Sequence, residues 1–147
     1  MSPILINNVV DTSLDVYKSI YDIKGAAFES FNFYKEYVDE ITYEIGMMME
    51  LQKKNYTVFR QQEFYVHYKG INTGVTRRMD MLVETPQGTF LIELKALNAV
   101  DLKQRRQLWS YMKLVHCQYG MLLNFSPQGV YSEIWKMDLQ DFTFNRL

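Results

Sequence analysis

The apolar positions of this chain keep a helical period at first and then turn to strand-like runs. Between Ser13 and Tyr34 the residues Leu14, Tyr17, Ile20, Tyr21, Gly25 and Phe28 fall on one stripe, which predicts a helix capped by Asp11, Thr12 or Ser13. A second helix is predicted from Val38 to Asn55, with Val38, Ile41, Ile45, Met48 and Met49 as its stripe. Met47, Met48 and Met49 read as adaptable core filler. Strand character follows in Thr57–Arg60 and Glu63–Tyr68, both rich in β-branched and aromatic residues. A turn at Lys69–Gly74 leads to a strand from Thr76 to Glu84, and Pro86-Gln87-Gly88 turns the chain into a strand from Phe90 to Ala96. Asp101 to His116 reads as a helix with Leu108, Met112 and Val115 toward the core. Strands at Gly120–Phe125 and Val130–Lys136 complete the pattern. The order α, α, β, β, β, α, β, β predicts an α/β (α+β) fold with helices flanking a mixed central sheet. No repeat or linker interrupts it, so residues 1–147 are expected to form a single domain.

Composition narrows the class. Hydrophobic residues are 48% of the 147, an ordinary globular share, and a domain of this size buries enough surface to need no staple. Cys117 is the only cysteine, which excludes an intramolecular disulfide and a Cys-rich zinc module. A mixed metal site could draw only on His67, His116 and Cys117. The first ten residues lack the positive flank and long apolar core of a signal peptide. No apolar run approaches the roughly 20 residues of a membrane helix. A soluble, cytoplasmic protein is expected.

The net charge of −1 hides an asymmetry. Residues 1–50 hold nine acids against three lysines, whereas residues 51–147 hold thirteen Lys and Arg against eight acids. The basic peak comprises Lys95, Lys103, Arg105, Arg106 and Lys113, with Asp101 alone opposing it. A basic helix beside a site suits a polyanionic ligand, and it equally describes a solvated helix face.

Three charged groupings interrupt apolar runs. Asp80 lies within Met79-Asp80-Met81-Leu82-Val83, Glu93 and Lys95 lie within Phe90–Ala96, and Glu40 and Glu44 stand one turn apart on the second helix. A buried unpaired charge costs several kcal/mol, so each acid requires a partner. Strand alternation puts Glu93 and Lys95 on one face, with Ile92, Leu94 and Ala96 on the other. Two adjacent carboxylates repel unless a cation sits between them, and Mg²⁺ or Mn²⁺ takes oxygen ligands. Lys95 beside such an ion could orient a water or stabilise developing charge, as phosphodiester hydrolysis requires. A plain buried salt bridge to Lys95 is the bland alternative. Gln107 and Tyr111, four apart on the basic helix, share a face from which they could hold a phosphate or stack.

Asp80, Glu93-x-Lys95 and Gln107-x-x-x-Tyr111 together resemble the PD-(D/E)xK nuclease superfamily. Several segments resemble its GxxExxY family more closely: Gly25–Glu29, Glu40–Glu44, Val66–Gly70, Arg78–Glu84, Ile92–Ala96, Gln107–Lys113 and Gly120–Phe125. The likeness spans about residues 14 to 137 and keeps order and spacing. One departure stands out: the glycine of the family's motif falls at Tyr37, leaving Glu40 and Tyr43. The resemblance implies a restriction-endonuclease-like αβββαβ core, with Asp80, Glu93 and Lys95 as metal and catalytic residues. A helix acid often completes such a site, with Glu44 the first choice and Glu40 the second.

These readings converge on a Mg²⁺-dependent (or Mn²⁺-dependent) nuclease acting on DNA, in repair or recombination. Asp80, Glu93 and Glu44 would hold the metal, Lys95 would serve the water, and Gln107, Tyr111, Lys103 and Arg106 would position the strand. The alternative is a catalytically inactive nuclease-like fold that binds nucleic acid or protein. A structural role as a homodimer also stays open. The hairpin between Asp80 and Glu93 discriminates among them. A two-residue loop at Gln87-Gly88, or a four-residue loop from Pro86 to Thr89, sets Asp80 opposite Lys95 and diagonal to Glu93. A three-residue loop throws the carboxylates onto opposite faces.

Overall fold

A computed structural model describes residues 15–147. Its elements are α1 (Val16–Tyr34), α2 (Glu40–Lys53), β1 (Thr57–Tyr68), β2 (Ile71–Thr85), β3 (Gly88–Lys95), α3 (Leu102–Val115), β4 (Tyr119–Ser126), β5 (Gly129–Met137) and β6 (Phe144–Arg146). The six strands form one mixed sheet in chain order. Only β3 and β4 run parallel, joined by α3 as the crossover helix. This is the mixed α+β architecture of a restriction-endonuclease-like fold. The short β6 carries no pattern of its own in the sequence; it adds to the edge of β5 through pairs such as Trp135 with Arg146. No described helix is long and apolar enough to cross a membrane.

The sheet has a hydrophobic cluster on each face. Phe90, Ile92 and Leu94 of β3 join Met121 and Leu123 of β4 against Ile23, Ala27, Met47 and Leu51 of α1 and α2. Leu91 and Leu122 point the other way, onto Leu108, Met112 and Val115 of α3. The α3 stripe is therefore the one expected. Gly120 lets that helix close down, since a Cβ there would run into Met112 Sδ.

The stripes expected on α1 and α2 need correction. Tyr17, Tyr21 and Phe28 are exposed, and the buried face of α1 is Ser19, Ile20, Asp22, Ile23, Ala26, Ala27 and Ser30. On α2 the buried residues are Tyr43, Glu44, Met47 and Leu51, while Ile41, Ile45 and Met49 face outward. Small side chains bring the two helices close to each other and to the sheet, and the larger aromatics are left at the rim. The expected caps Asp11, Thr12 and Ser13 and the stripe residue Leu14 lie outside the described residues; Asp15 caps α1, accepting from the backbone N–H of Tyr17 at 2.8 Å.

The β2–β3 hairpin turns at Pro86-Gln87, with Thr85 paired to Gly88. Ser19 of α1 donates to Oε1 of the buried Gln87, which pins the turn to the helix layer. The loop is even in length, but it closes one residue earlier than the expected Gln87-Gly88 loop. The β2–β3 ladder runs through Leu82↔Leu91 to Met81↔Ile92 and ends there, one step short of Asp80 and Glu93. The expected register, which set Asp80 opposite Lys95, is corrected by two residues, and this brings Asp80 beside Glu93 at the end of the ladder.

At Asp80 the sheet also changes face. Met81 and Val83 pack beneath α1 and α2, whereas Met79 packs with α3, although all three are odd-numbered. Across the ladder Val58 packs with the first cluster and Phe64 with the second. The break falls at Gln61, whose φ of 52° is left-handed and which is skipped in the pairing of Arg60↔Met81 and Gln62↔Met79. Irregularities of this kind re-aim side chains next to functional sites.

The α1–α2 connection is strained. Lys35 and Tyr37 have φ of 60° and 76°, and Tyr37 is 91% exposed. Tyr43 anchors the loop from inside, donating from its hydroxyl to the Lys35 carbonyl and stacking on Phe125 at 4.3 Å between centroids. A bulky residue at positive φ is disfavoured where glycine is at ease. Tyr37→Gly is expected to raise Tm by about 2–4 °C, corresponding to relief of left-handed strain in a chain of this size. A thermal melt showing a lower Tm for the variant would refute the strain.

Candidate active site

Charged groups converge where β2, β3 and the start of α3 meet. Glu93 is buried at 2% exposure on the α3 side of β3. Asp80 stands against it and accepts from the backbone N–H of Leu94 at 2.9 Å, taking the place of a ladder partner. Burial pushes the Glu93 carboxyl well above its ordinary range, and the neighbouring Asp80 charge adds to this. Glu93 Oε1 is buried without a hydrogen-bond partner. Lys95, two residues on and on the same face, donates from Nζ to Gln107 Oε1 at 2.8 Å. Gln107 leads to the Tyr111 hydroxyl at 3.5 Å, and Tyr111 meets Phe64 of β1 edge-on at 5.7 Å.

The other expected residues take different places. Glu44 is buried and close enough for the Asp80 charge to act on it, but both its oxygens are engaged. Arg60 donates to it at 2.5 Å and Gln61 at 2.9 and 3.1 Å. Burial raises its pKa, while those hydrogen bonds oppose the rise. Glu40 reaches the end of β3 and accepts from the Ala96 N–H at 3.2 Å, one residue past Lys95. Lys103 lies one turn before Gln107 on the same helix stripe, whereas Arg106 is exposed on a neighbouring stripe.

Arg105 leaves the basic helix face altogether. It makes a bidentate pair with the fully buried Glu133 of β5, at 2.5 to 3.0 Å, and Tyr131 and Trp135 donate to the same carboxylate. Burial pushes Glu133 up, but these donors overcome it and hold the pKa at about 2. The sequence carried a signal for this cluster, an acid inside the apolar run Val130–Lys136, of the same kind that marks Asp80 and Glu93. Arg60 and Gln61 carried none.

Among the described residues no three His, Cys, Asp or Glu side chains form a ready metal cluster. The donor set present is the Asp80–Glu93 pair. Two hard oxygen donors, one with an orphaned oxygen and both short of positive charge, fit a divalent cation that keeps open positions. His67, His116 and Cys117 do not gather into a site. The Cys117 thiol is buried and pushed up to about 12, which makes it inert as a nucleophile.

Comparison with known proteins identifies a family and a likeness of fold. A family model described as the PD-(D/E)XK nuclease superfamily matches residues 17–136. Among solved structures, one titled "Crystal structure of SSO0001" superposes with a TM-score of 0.52 at 18% identity, covering 84% of this chain. The match spans 62% of that structure's chain, and it is a likeness of fold. No curated protein matches the sequence.

Proposed function

The chain belongs to the PD-(D/E)XK nuclease superfamily, and on that premise we propose that it is a divalent-metal-dependent nuclease of the GxxExxY family that cuts DNA in a single domain. The observation that carries the reading is the approach of the Asp80 carboxylate to Glu93 just past the end of the β2–β3 ladder, with an orphaned Glu93 oxygen and Lys95 on the same face. The roles of Glu40 and Tyr43 support the finer family assignment, since one ties α2 to the end of β3 and the other anchors the turn before it.

Asp80 and Glu93 would hold the cation, with Mg²⁺ or Mn²⁺ the expected ion. When bound, it would supply Lewis acidity toward the phosphodiester and favour deprotonation of an attacking water. Asp80 is itself oriented by the Leu94 N–H, so the acid pair is fixed before substrate arrives. Lys95, oriented by Gln107, places an ammonium where negative charge develops on the phosphate. Gln107 and Tyr111 hold the scissile strand against α3, and Lys103 extends the same stripe. Glu44 acts through Arg60 and Gln61, steadying the irregular backbone beside Asp80.

The test combines cleavage with linkage. The protein is expected to cut single-stranded, duplex or branched DNA in Mg²⁺ or Mn²⁺. Mn²⁺ at a hundred times its Kd should stabilise the fold by about 2.7 kcal/mol. Asp80→Asn/Glu93→Gln should lose both effects. An equal Mn²⁺ shift in wild type and double variant would remove the metal from this site. A second reading, a non-cutting nucleic-acid binder, draws on Glu44 being taken up by Arg60 and Gln61, which leaves two acids for the ion. DNA binding without cleavage under either ion would decide for it.

A further inference from the structure

The β1–β2 hairpin extends well past the catalytic acids. From Ile71 to Arg78 every residue of β2 is exposed. Along β1, seven positions separate Tyr68 at the tip from Gln61 beside Asp80, roughly 23 Å of strand at the usual rise, while β2 carries two extra residues over that span, bulging around the left-handed Gly74. Residues 62–79 carry Lys69, Arg77 and Arg78 against Glu63 alone, in a chain whose net charge is −1. No described carboxylate lies in salt-bridge range of these three cations. Arg78 faces Glu63 across the ladder and is partly neutralised. Arg77 is paired with Phe64, and directly opposed residues share a face. Phe64 packs on the α3 side and meets Tyr111. Arg77 therefore continues the line that runs from Lys95 through Gln107 and Tyr111. Lys69 stands at the tip, over the ring of the exposed Tyr68 at 5.4 Å.

We infer that this hairpin is a substrate arm: Arg77 and Lys69 grip the phosphates of a DNA duplex along roughly two thirds of a helical turn flanking the scissile bond. The inference rests on the nuclease reading and adds to it the direction in which the substrate lies. Cations without a carboxylate partner along a ribbon match a polyanion better than an apolar protein surface, and roughly 23 Å covers about two thirds of a duplex turn. The arm would supply position and length preference without reading bases.

Binding in EDTA separates the arm from the chemistry. Fluorescence anisotropy on duplexes of increasing length should show wild-type affinity rising up to about 7 base pairs beyond the site. In Lys69→Ala/Arg77→Ala that gain is expected to vanish, and the log–log salt slope should become shallower by about two units. Arg78→Ala should change the slope less, and unchanged Tm in all variants shows that the fold is kept. Wild-type binding matched by the double variant in affinity, slope and length dependence would overturn the arm while sparing the nuclease reading. Wild type that binds no nucleic acid would instead overturn the nuclease reading, and the arm with it. Self-association lost in the double variant, with DNA binding intact, would make the hairpin a contact between copies and refute the proposal.

Discussion

Alanine in place of Lys95 is expected to slow cleavage by about 10²–10⁴-fold while leaving the Mn²⁺-induced rise in Tm unchanged. The separation follows from chemistry and position. An ammonium is not a cation ligand, so its removal leaves Asp80 and Glu93 to hold the ion. It is, however, the positive side chain on the same β3 face two residues from Glu93, and Gln107 fixes its direction at 2.8 Å. A group that acts on developing charge lowers kcat when lost and leaves ground-state binding little altered. Single-turnover cleavage beside a Mn²⁺ thermal shift measures both halves. Cleavage by Lys95→Ala at the wild-type rate would take Lys95 out of the chemistry, and loss of the Mn²⁺ shift would make it part of the ion site.

Arg105→Ala is expected to destabilise the fold by about 3–5 kcal/mol, because it leaves Glu133 fully buried without its cation. Tyr131 and Trp135 would still donate to the carboxylate but bring no positive charge. The effect depends on pH with a definite sign. Glu133 titrates at about 2 in the fold against 4.5 ordinarily, so its stabilisation is full above about 4.5 and is lost as pH falls toward 2. The gap between wild type and Arg105→Ala should therefore narrow on acidification through that range, as the stranded carboxyl takes up a proton. Urea melts at pH 7 and below pH 4 measure this. A gap that stays the same in acid would show that Arg105 contributes through packing and not through its charge.

The layers of the fold were legible where hydrophobicity and burial coincide. Leu108, Met112 and Val115 are the apolar stripe of an otherwise polar helix, and they are its buried face. On α1 and α2 apolar residues occupy both sides, so the pattern alone favours Tyr21 and Ile45 over Ala27 and Leu51, although Met47 is core as expected. What decides there is how closely helix and sheet approach, and that distance is set by neighbours far along the chain. Asp80 and Glu93 were legible because a charge inside an apolar strand demands an explanation. Their register was missed by two residues because the turn is held by Ser19, 68 positions before Gln87. The left-handed Gln61 and the engagement of Glu44 by Arg60 lie beyond any pattern, since both depend on how β1 curls beneath α2.

The switch of faces at Gln61 and Asp80 has an energetic meaning. On the turn side of that point β2 is sealed between hydrophobic layers, and opening it would require much of the domain to come apart. On the tip side Ile71–Arg78 is fully exposed and held mainly by ladder hydrogen bonds to β1. Such a segment can separate and re-pair at small free-energy cost, exchanging its amide hydrogens without global unfolding. Asp80 sits at the seam between a part that breathes cheaply and a part that opens only with the core. An acid so placed can hold its alignment with Glu93 while the chain a few residues away adjusts to what it touches.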